Sequence, residues 1–335
     1  MTKKSNKSWQ GGNVMIVAFL DLLGFSALLR MDTEVALDNM NAFNNVIKTR
    51  FIDNKCHPIA EYKKQYPNDA ELHNSVEKSS VTAFSHMISY SDSLILGGTD
   101  YDLFIMQLAN FVATTYINYS EPFRDSFSDI NTVLNYKTAE RGIDGNLLHH
   151  KASPVLFRGG ISVGESVGFF EEYHIKDNEL KRSSLNVTGV TYLNAVKLES
   201  FGRGPRLFCD KSVVDVVNEK TKKLIKVVDK EKGIYEIVWT IEGCEATGNS
   251  SNKWENVVNR INDKMLPAAV NLYKYYRDDH HLELQYKELL KLVCEGIVKY
   301  ATDECDRAEE AINLINKKLK DELLVDQSFL NGFII

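Results

Sequence analysis

The chain has 335 residues, and its 40 Lys+Arg against 46 Asp+Glu leave a formal net charge of −6. That balance argues against a polybasic coat for nucleic acid or an anionic membrane, and 44% apolar with 10% aromatic residues excludes a disordered chain. The five cysteines (Cys56, Cys209, Cys244, Cys294 and Cys305) are scattered without C-x-x-C spacing, so neither a disulfide framework nor a zinc site is expected.

After a polar start, residues 14–20 form a continuous apolar run that stops at Asp21. Such a run is too short for a bilayer, which takes about 20 apolar residues, and a signal h-region would not end on a carboxylate there. A soluble cytoplasmic protein with no membrane partner is expected. The run reads as a central strand buried on both faces. Gly24 breaks it, and residues 25–51 read as one amphipathic helix with Phe25, Leu28, Leu29, Val35, Leu37, Met40, Phe43 and Val46 roughly on one side. Residues 54–79 are polar and read as an insertion. Two apolar runs, 81–90 and 93–96, are separated only by Ser91-Asp92, which is hairpin spacing.

Residues 101–119 read as a helix and 121–151 as a second polar insertion. A strand at 155–163, a short strand near 167–170 and a polar turn at 176–184 lead to Gly189 and a helix over 192–200. A strand at 206–209, a short helix at 211–218 and a hairpin over 223–239 follow. Beyond the Gly/Ser/Asn-rich stretch 248–252, helices are expected at 254–277, 281–300 and 304–324. The order βαββαβ followed by helices predicts an α+β fold: a split βαβ, ferredoxin-like sheet with helices on one face. The division falls into a core unit, 1–245, with insertions near 54–79 and 121–151, and a C-terminal helical extension, 253–335.

Two aspartates stand at strand ends in apolar surroundings: Asp21 closes the first strand, and Asp92 sits at the hairpin tip. In a split βαβ sheet these elements are neighbours, so the carboxylates converge. Paired Asp oxygens suit Mg²⁺ or Mn²⁺, and the turn from Leu22 to Ser26 would aim backbone N–H groups of a helix start at the same place. The plainer alternatives are a helix cap for Asp21 and a turn residue for Asp92. Arg158, inside an apolar strand before Gly159-Gly160, needs a partner. That partner is either a triphosphate held bidentately or a core carboxylate.

Four strings then carry a resemblance. Phe19-Leu20-Asp21-Leu22-Leu23-Gly24-Phe25-Ser26 resembles the first metal motif of class III nucleotidyl cyclases, and Ser91-Asp92 the second. Residues 157–164 (F-R-G-G-I-S-V-G) resemble the family's triphosphate-arginine strand, and residues 189–200 (G-V-T-Y-L-N-A-V-K-L-E-S) its interface helix. The resemblance implies two divalent ions per site, Mg²⁺ or Mn²⁺, held by Asp21, Asp92 and the Leu22 main chain. It also implies phosphate contacts from Leu22, Gly24, Phe25, Ser26 and Arg158. A homodimer with shared sites would bring Lys197 across the interface as a fourth catalytic residue.

Departures from the family pattern bear on the base. Leu193 stands where purine cyclases carry an Asn, with Asn194 one place later; Lys197 replaces an Arg, Ile88 the purine-selecting Lys, and Asn186 an Asp. The string Arg158 to Glu165 is similar to that of the bacterial Pycsar cyclases, which make cyclic UMP or cyclic CMP in anti-phage defence. What this implies is conversion of UTP to 3′,5′-cyclic UMP and pyrophosphate, with CTP as the alternative base and a degenerate, nucleotide-binding cyclase fold as the rival. Phe84, His86 and Ile88, on one face of an alternating strand, would wall a small base beside Asn186 and Asn194.

Other features read as structural. The adjacent pairs His149-His150 and His280-His281 read as surface residues. The lysines from Lys211 to Lys232 are interleaved with acids and read as a solvated surface. Tyr273, Tyr275 and Tyr276 read as packing residues.

Overall fold

The computed structural model describes residues 14–47, 67, 83–124, 137–141, 147–151, 154–165, 168–176, 179–245 and 252–323. Its strands are β1 (Met15–Leu22), β2 (His86–Tyr90), β3 (Ser93–Gly98), β4 (Lys137–Arg141), β5 (Leu147–Lys151), β6 (Phe157–Gly164), β7 (Gly168–Lys176), β8 (Glu179–Thr188), β9 (Leu207–Asp210), β10 (Ile225–Asp229) and β11 (Ile234–Ile237). Seven of them form one mixed sheet in the order β10-β11-β9-β6-β1-β3-β2. β1 is antiparallel to both β3 and β6, and β3 is antiparallel to β2. The run β6-β1-β3-β2 is therefore the expected split βαβ arrangement, and the fold is α+β.

Position in this sheet explains the apolar run. Met15 to Ala18 are all buried, with Ile16, Ala18, Leu20 and Leu22 facing the larger core and Val17 and Phe19 the opposite face. Against the larger core pack α2 (Thr33–Ile47), which follows the short α1 (Phe25–Met31), and α3 (Tyr101–Tyr119). Phe43 and Phe111 hold Phe157 between them, with ring centroids 5.8 and 5.3 Å away.

The expectation of helices on one face needs correction. Helix α4 (Val190–Glu199) lies on the opposite face, over β6 and β1. Gly160 makes this possible: a Cβ there would fall 2.0 Å from the Ala195 carbonyl oxygen and 2.7 Å from the Glu199 nitrogen. The helix rests directly on the strand's main chain.

After β9 come α5 (Lys211–Val216), α6 (Glu219–Lys222), the β10–β11 hairpin and α7 (Thr240–Glu245); the C-terminal helices are α8 (Lys253–Asn262), α9 (Met265–Tyr276), α10 (His280–Cys305) and α11 (Ala308–Leu323). They share the larger core with the sheet. The Tyr116 hydroxyl donates to the Met265 carbonyl at 2.7 Å, Asn271 Nδ2 to the Phe123 carbonyl at 2.8 Å, and Thr240 Oγ1 to the Leu292 carbonyl at 2.8 Å. The change in composition near residue 250 is thus a change of element type within one continuous core. Tyr273 and Tyr276 are buried in it.

Several element boundaries differ from expectation for local reasons. The helix expected over 25–51 breaks at Asp32, which is extended (φ −153°, ψ 105°). Its Oδ1 accepts from the N–H groups of Glu34 and Val35 at 2.9 and 3.2 Å, so the carboxylate caps a new helix. Leu29 and Leu37, expected on the apolar side, are exposed. The helix expected over 254–277 divides into α8 and α9 at residues 263–264. Residues 121–151, read as a polar insertion, contain a 3-10 turn (Glu121–Phe123) and the β4–β5 hairpin, and residues 168–188 form a hairpin, β7–β8, where a short strand near 167–170 and a polar turn at 176–184 were expected. These ribbons are mostly polar and lack the sustained apolar alternation that reveals a half-buried strand. The insertion expected at 54–79, apart from Pro67, and Cys56 lie outside the described residues. The other four cysteines are free thiols. Among the described residues no helix is long and apolar enough to cross a membrane.

Candidate active site

The site forms where β1 ends. Asp21 is in direct register with Ser93 of β3 on one side and Arg158 of β6 on the other. Arg158 Nε and Nη2 both donate to Asp21 Oδ2, at 3.1 and 2.9 Å, and Ser93 Oγ donates to Oδ1 at 3.3 Å. From above the sheet, Glu199 of α4 forms a second ion pair with Arg158 through Nε. The seat of α4 on Gly160 places this carboxylate. Asp92 stands at the tip of the β2–β3 turn, where Ser91 takes a left-handed conformation (φ 53°). The Asp92 carbonyl accepts from the Leu22 N–H at 2.9 Å, which ties the hairpin tip to the end of β1. Gly24, with φ +80°, then turns the chain into α1.

Charge at this point is unbalanced. Burial pushes the Asp21 carboxyl above its ordinary pKa; the hydrogen bond and charge of Arg158 pull it back, and the charge of Asp92 raises it again. Glu199 is likewise raised, first by burial and then by Asp21, against the pull of Arg158. One guanidinium therefore serves two carboxylates while a third stands close enough to repel, an arrangement that favours a further cation. Asp21 and Asp92 offer hard oxygen ligands of the kind Mg²⁺ and Mn²⁺ take, with substrate oxygens and waters completing the shell. Among the described residues there is no group of three His, Cys, Asp or Glu able to enclose a metal, so the donor set fits an open, substrate-completed ion and not a closed structural one.

A cleft of about 360 Å³ opens here. One wall consists of Asp21, Leu22, Gly24, Phe25, Ser26, Asp92 and Arg158, and the other brings Arg30 of α1 together with His281, Leu282, Gln285 and Tyr286 of α10.

The remaining expected site residues divide. Leu22 lines the cleft, but its N–H is committed to Asp92 and that of Leu23 to the Leu156 carbonyl at 2.8 Å. The expectation of a free row of donors from Leu22 onward is corrected to the residues after Leu23. Phe84 is also corrected. The strand begins only at His86, so its alternation does not reach back, and Phe84 turns onto Phe104 (centroids 4.9 Å) on the larger core. Ile88 packs on the opposite face with Val17 and Ile95, and His86 shares that face by alternation. Asn186 is exposed on β8, Asn194 half-buried on α4, and Lys197 exposed near the end of α4. None of these last five lines the cleft within a single chain.

Sequence reasoning passed over Glu199, Arg30 and, on α10, Leu282, Gln285 and Tyr286. Glu199 stood inside a quoted motif without a role, and only the contact of helix and strand gives it one. His281 was read as surface; it is exposed, and it is exposed at the cleft.

No known family model matches the chain, and no curated protein matches it. Solved structures similar to it include the guanylyl cyclase domain of the RhoGC fusion protein from the aquatic fungus Blastocladiella emersonii, at 13% identity over 68% of this chain and 97% of that one, with a TM-score of 0.36. Another is the adenylyl cyclase CyaB from P. aeruginosa, at 14% identity over 67% and 93% of the two chains, with a TM-score of 0.35. A third is an adenylate cyclase from Trypanosoma brucei in its monomeric state, at 12% identity over 71% and 94%, with a TM-score of 0.37.

Proposed function

We propose that this chain is a pyrimidine nucleotide cyclase that converts UTP to 3′,5′-cyclic UMP and pyrophosphate, as a second messenger of anti-phage defence. One observation carries the reading: Asp21 with the Gly24 turn, Asp92, and Arg158, which the sequence presents as three separate motifs, line a single cleft. In the reaction the ribose 3′-oxygen bonds to the α-phosphorus, the bond from that phosphorus to the bridging oxygen breaks, and the hydroxyl proton leaves to solvent. Two divalent ions, Mn²⁺ or Mg²⁺, would be held by Asp21, Asp92 and the Leu22 main chain; when bound they supply acidification of the 3′-hydroxyl and neutralisation of phosphate charge.

The chain's own part is placement. Arg158 presents a planar fork where β6 begins beside the end of β1, oriented by Asp21 and Glu199, and would donate it to the triphosphate oxygens. The main chain after Leu23 offers N–H groups at the start of α1. Ile88, buried in place of a purine-selecting lysine, offers no charged group beside His86, which fits a site that does not select a purine. Uracil and cytosine differ at one ring edge, so CTP is the alternative substrate within this reading.

The dimer is part of the proposal. On the face that carries α4, Val190 and Leu193 are 62% and 54% exposed, and Tyr90 at the β2 end is 78% exposed. Ile88 and Ile95 on that face already cluster with Ala195 and Tyr192 of α4, which leaves Tyr90, Val190 and Leu193 exposed. A two-fold partner laying its α4 there would cover this apolar surface and carry Lys197, Asn194 and Asn186 toward the neighbouring cleft. A second reading, a nucleotide-binding fold without turnover, is favoured by Leu193 and Lys197, which occupy the positions of the family's transition-state Asn and Arg.

Pyrophosphate release from UTP with Mn²⁺ tests the proposal. Wild type turns over, and Asp92→Asn loses at least about 100-fold in rate with an unchanged melting temperature. A folded Asp92→Asn variant with near-normal turnover refutes the two-carboxylate site, and a wild-type chain that binds nucleotide but releases no pyrophosphate favours the second reading.

A further inference from the structure

The cleft has two walls, and the second comes from the C-terminal helices, to which the four motifs assign nothing. His281, Leu282, Gln285 and Tyr286, on the first two turns of α10, line the same 360 Å³ space as the motif residues and Arg30. This wall is fixed in place. Asp279 caps α10 by accepting from the N–H groups of His281 and Leu282 at 2.9 and 3.1 Å. Gln285 Oε1 accepts from the Gly204 N–H at 2.7 Å, in the loop that follows α4. Tyr286 stacks on Tyr276 at 4.5 Å, with an interplanar angle of 12°.

Charge decides what this wall is for. Of the two guanidinium groups lining the cleft, Arg158 is already shared between Asp21 and Glu199. Arg30 is exposed and forms no ion pair among the described residues. His281 is exposed with its ring free of hydrogen bonds among the described residues and stacked edge-on against His280. A polyphosphate in the cleft would find its uncommitted cation and its uncommitted ring N–H on the α1–α10 side.

We propose that the C-terminal helical segment is part of the nucleotide site, and that His281 together with Arg30 binds the outer phosphates of the triphosphate and the pyrophosphate product. The inference rests on the cyclase reading for the identity of the substrate, but its contact chemistry, a guanidinium and an imidazole N–H donating to a polyphosphate, is testable without turnover. An exposed side chain at the mouth of a cleft is free to donate charge-assisted hydrogen bonds to the ligand's phosphate oxygens without rearranging the core.

The test is calorimetric binding of magnesium pyrophosphate to the full-length chain, comparing wild type with His281→Ala, His281→Lys, His281→Glu and Arg30→Ala. His281→Ala and Arg30→Ala should each weaken binding about tenfold, the size of one lost charge-assisted contact. His281→Lys should bind at least as tightly as wild type, and His281→Glu more weakly than His281→Ala. A merely structural His281 would make the three substitutions alike, and that result overturns the proposal; so does an unchanged Kd in all of them. Melting curves that superimpose on wild type confirm that every variant is folded. UTP turnover separates the two claims. A chain that cyclises no triphosphate yet binds pyrophosphate in the order Lys, Ala, Glu keeps this contact and loses the cyclase reading. A chain that cyclises UTP with a pyrophosphate affinity indifferent to residue 281 does the reverse.

Discussion

Gly160→Ala would add one methyl group between β6 and α4. The new Cβ would lie 2.0 Å from the Ala195 carbonyl oxygen and 2.7 Å from the Glu199 nitrogen, both main-chain atoms that cannot rotate away. Contacts under 3.0 Å are essentially never tolerated and ordinary contact begins near 3.4 Å, so α4 must lift by at least about 1 Å. Overpacking of this kind costs about 1–3 kcal/mol, which for a chain of this size lowers the melting temperature by several degrees. The lift also withdraws Glu199 from Arg158 and loosens the guanidinium that Asp21 and Glu199 hold between them. Misplacement of about 1 Å at a reacting site costs about 100-fold in rate, far more than the stability loss explains. Melting by differential scanning fluorimetry and cyclic-nucleotide production at a temperature well below both midpoints measure the two effects separately. A Gly160→Ala protein with wild-type melting and wild-type turnover would refute the idea that the helix seat on β6 sets the arginine.

Three further outcomes follow from the same geometry. Arg158→Lys keeps the charge but loses the two-pronged contact with Asp21 and with phosphate, so turnover should fall at least about tenfold; a loss confined to melting temperature would assign Arg158 a structural role alone. Glu242 is pushed up to about 7 from 4.5, first by burial and then by the charge of Glu245. Its folded pKa exceeds its unfolded one, so its stabilising proton is held below pH 4.5 and is lost as pH rises through 7, a cost of about 3 kcal/mol. Glu242→Gln should therefore match wild type in melting near pH 4.5 and exceed it at pH 8, whereas parallel profiles would count against the shift. Finally, Asp21→Ala and Lys197→Ala homodimers should both be inactive, while a co-refolded mixture regains activity if the two residues meet across the dimer. A fully active Lys197→Ala homodimer would remove Lys197 from the reaction.

Much of the site was legible because its parts are local. An apolar strand stopped by Asp21, a two-residue turn holding Asp92 and an apolar strand interrupted by Arg158 each show within ten residues or so of sequence. Their order was enough to place β1 beside β3 and β6. The register that sets Arg158 opposite Asp21 was not legible, because it depends on strands far apart in the chain. Glu199 was hidden for a related reason: its role comes from a helix seated on Gly160, and a single glycine in a strand does not say what approaches it. Phe84 misled because period-2 alternation was carried two residues beyond the true strand start at His86. The break at Asp32 was hidden by the apolar stripe that runs through residues 25–51. The α10 wall escaped altogether. Helix-to-sheet packing over hundreds of residues leaves no periodic trace, so a histidine pair at a helix start looks the same whether it faces solvent or a substrate.

The most direct test of the central claim is a single competition. The purified full-length chain is incubated with equimolar ATP, GTP, CTP and UTP and Mn²⁺, and the cyclic products are identified by mass spectrometry. The prediction is 3′,5′-cyclic UMP as the dominant product, with no cyclic purine nucleotide above trace. Cyclic AMP or cyclic GMP equal to or greater than the pyrimidine products would contradict the reading of the base pocket, and no cyclic nucleotide of any kind would contradict the enzyme itself.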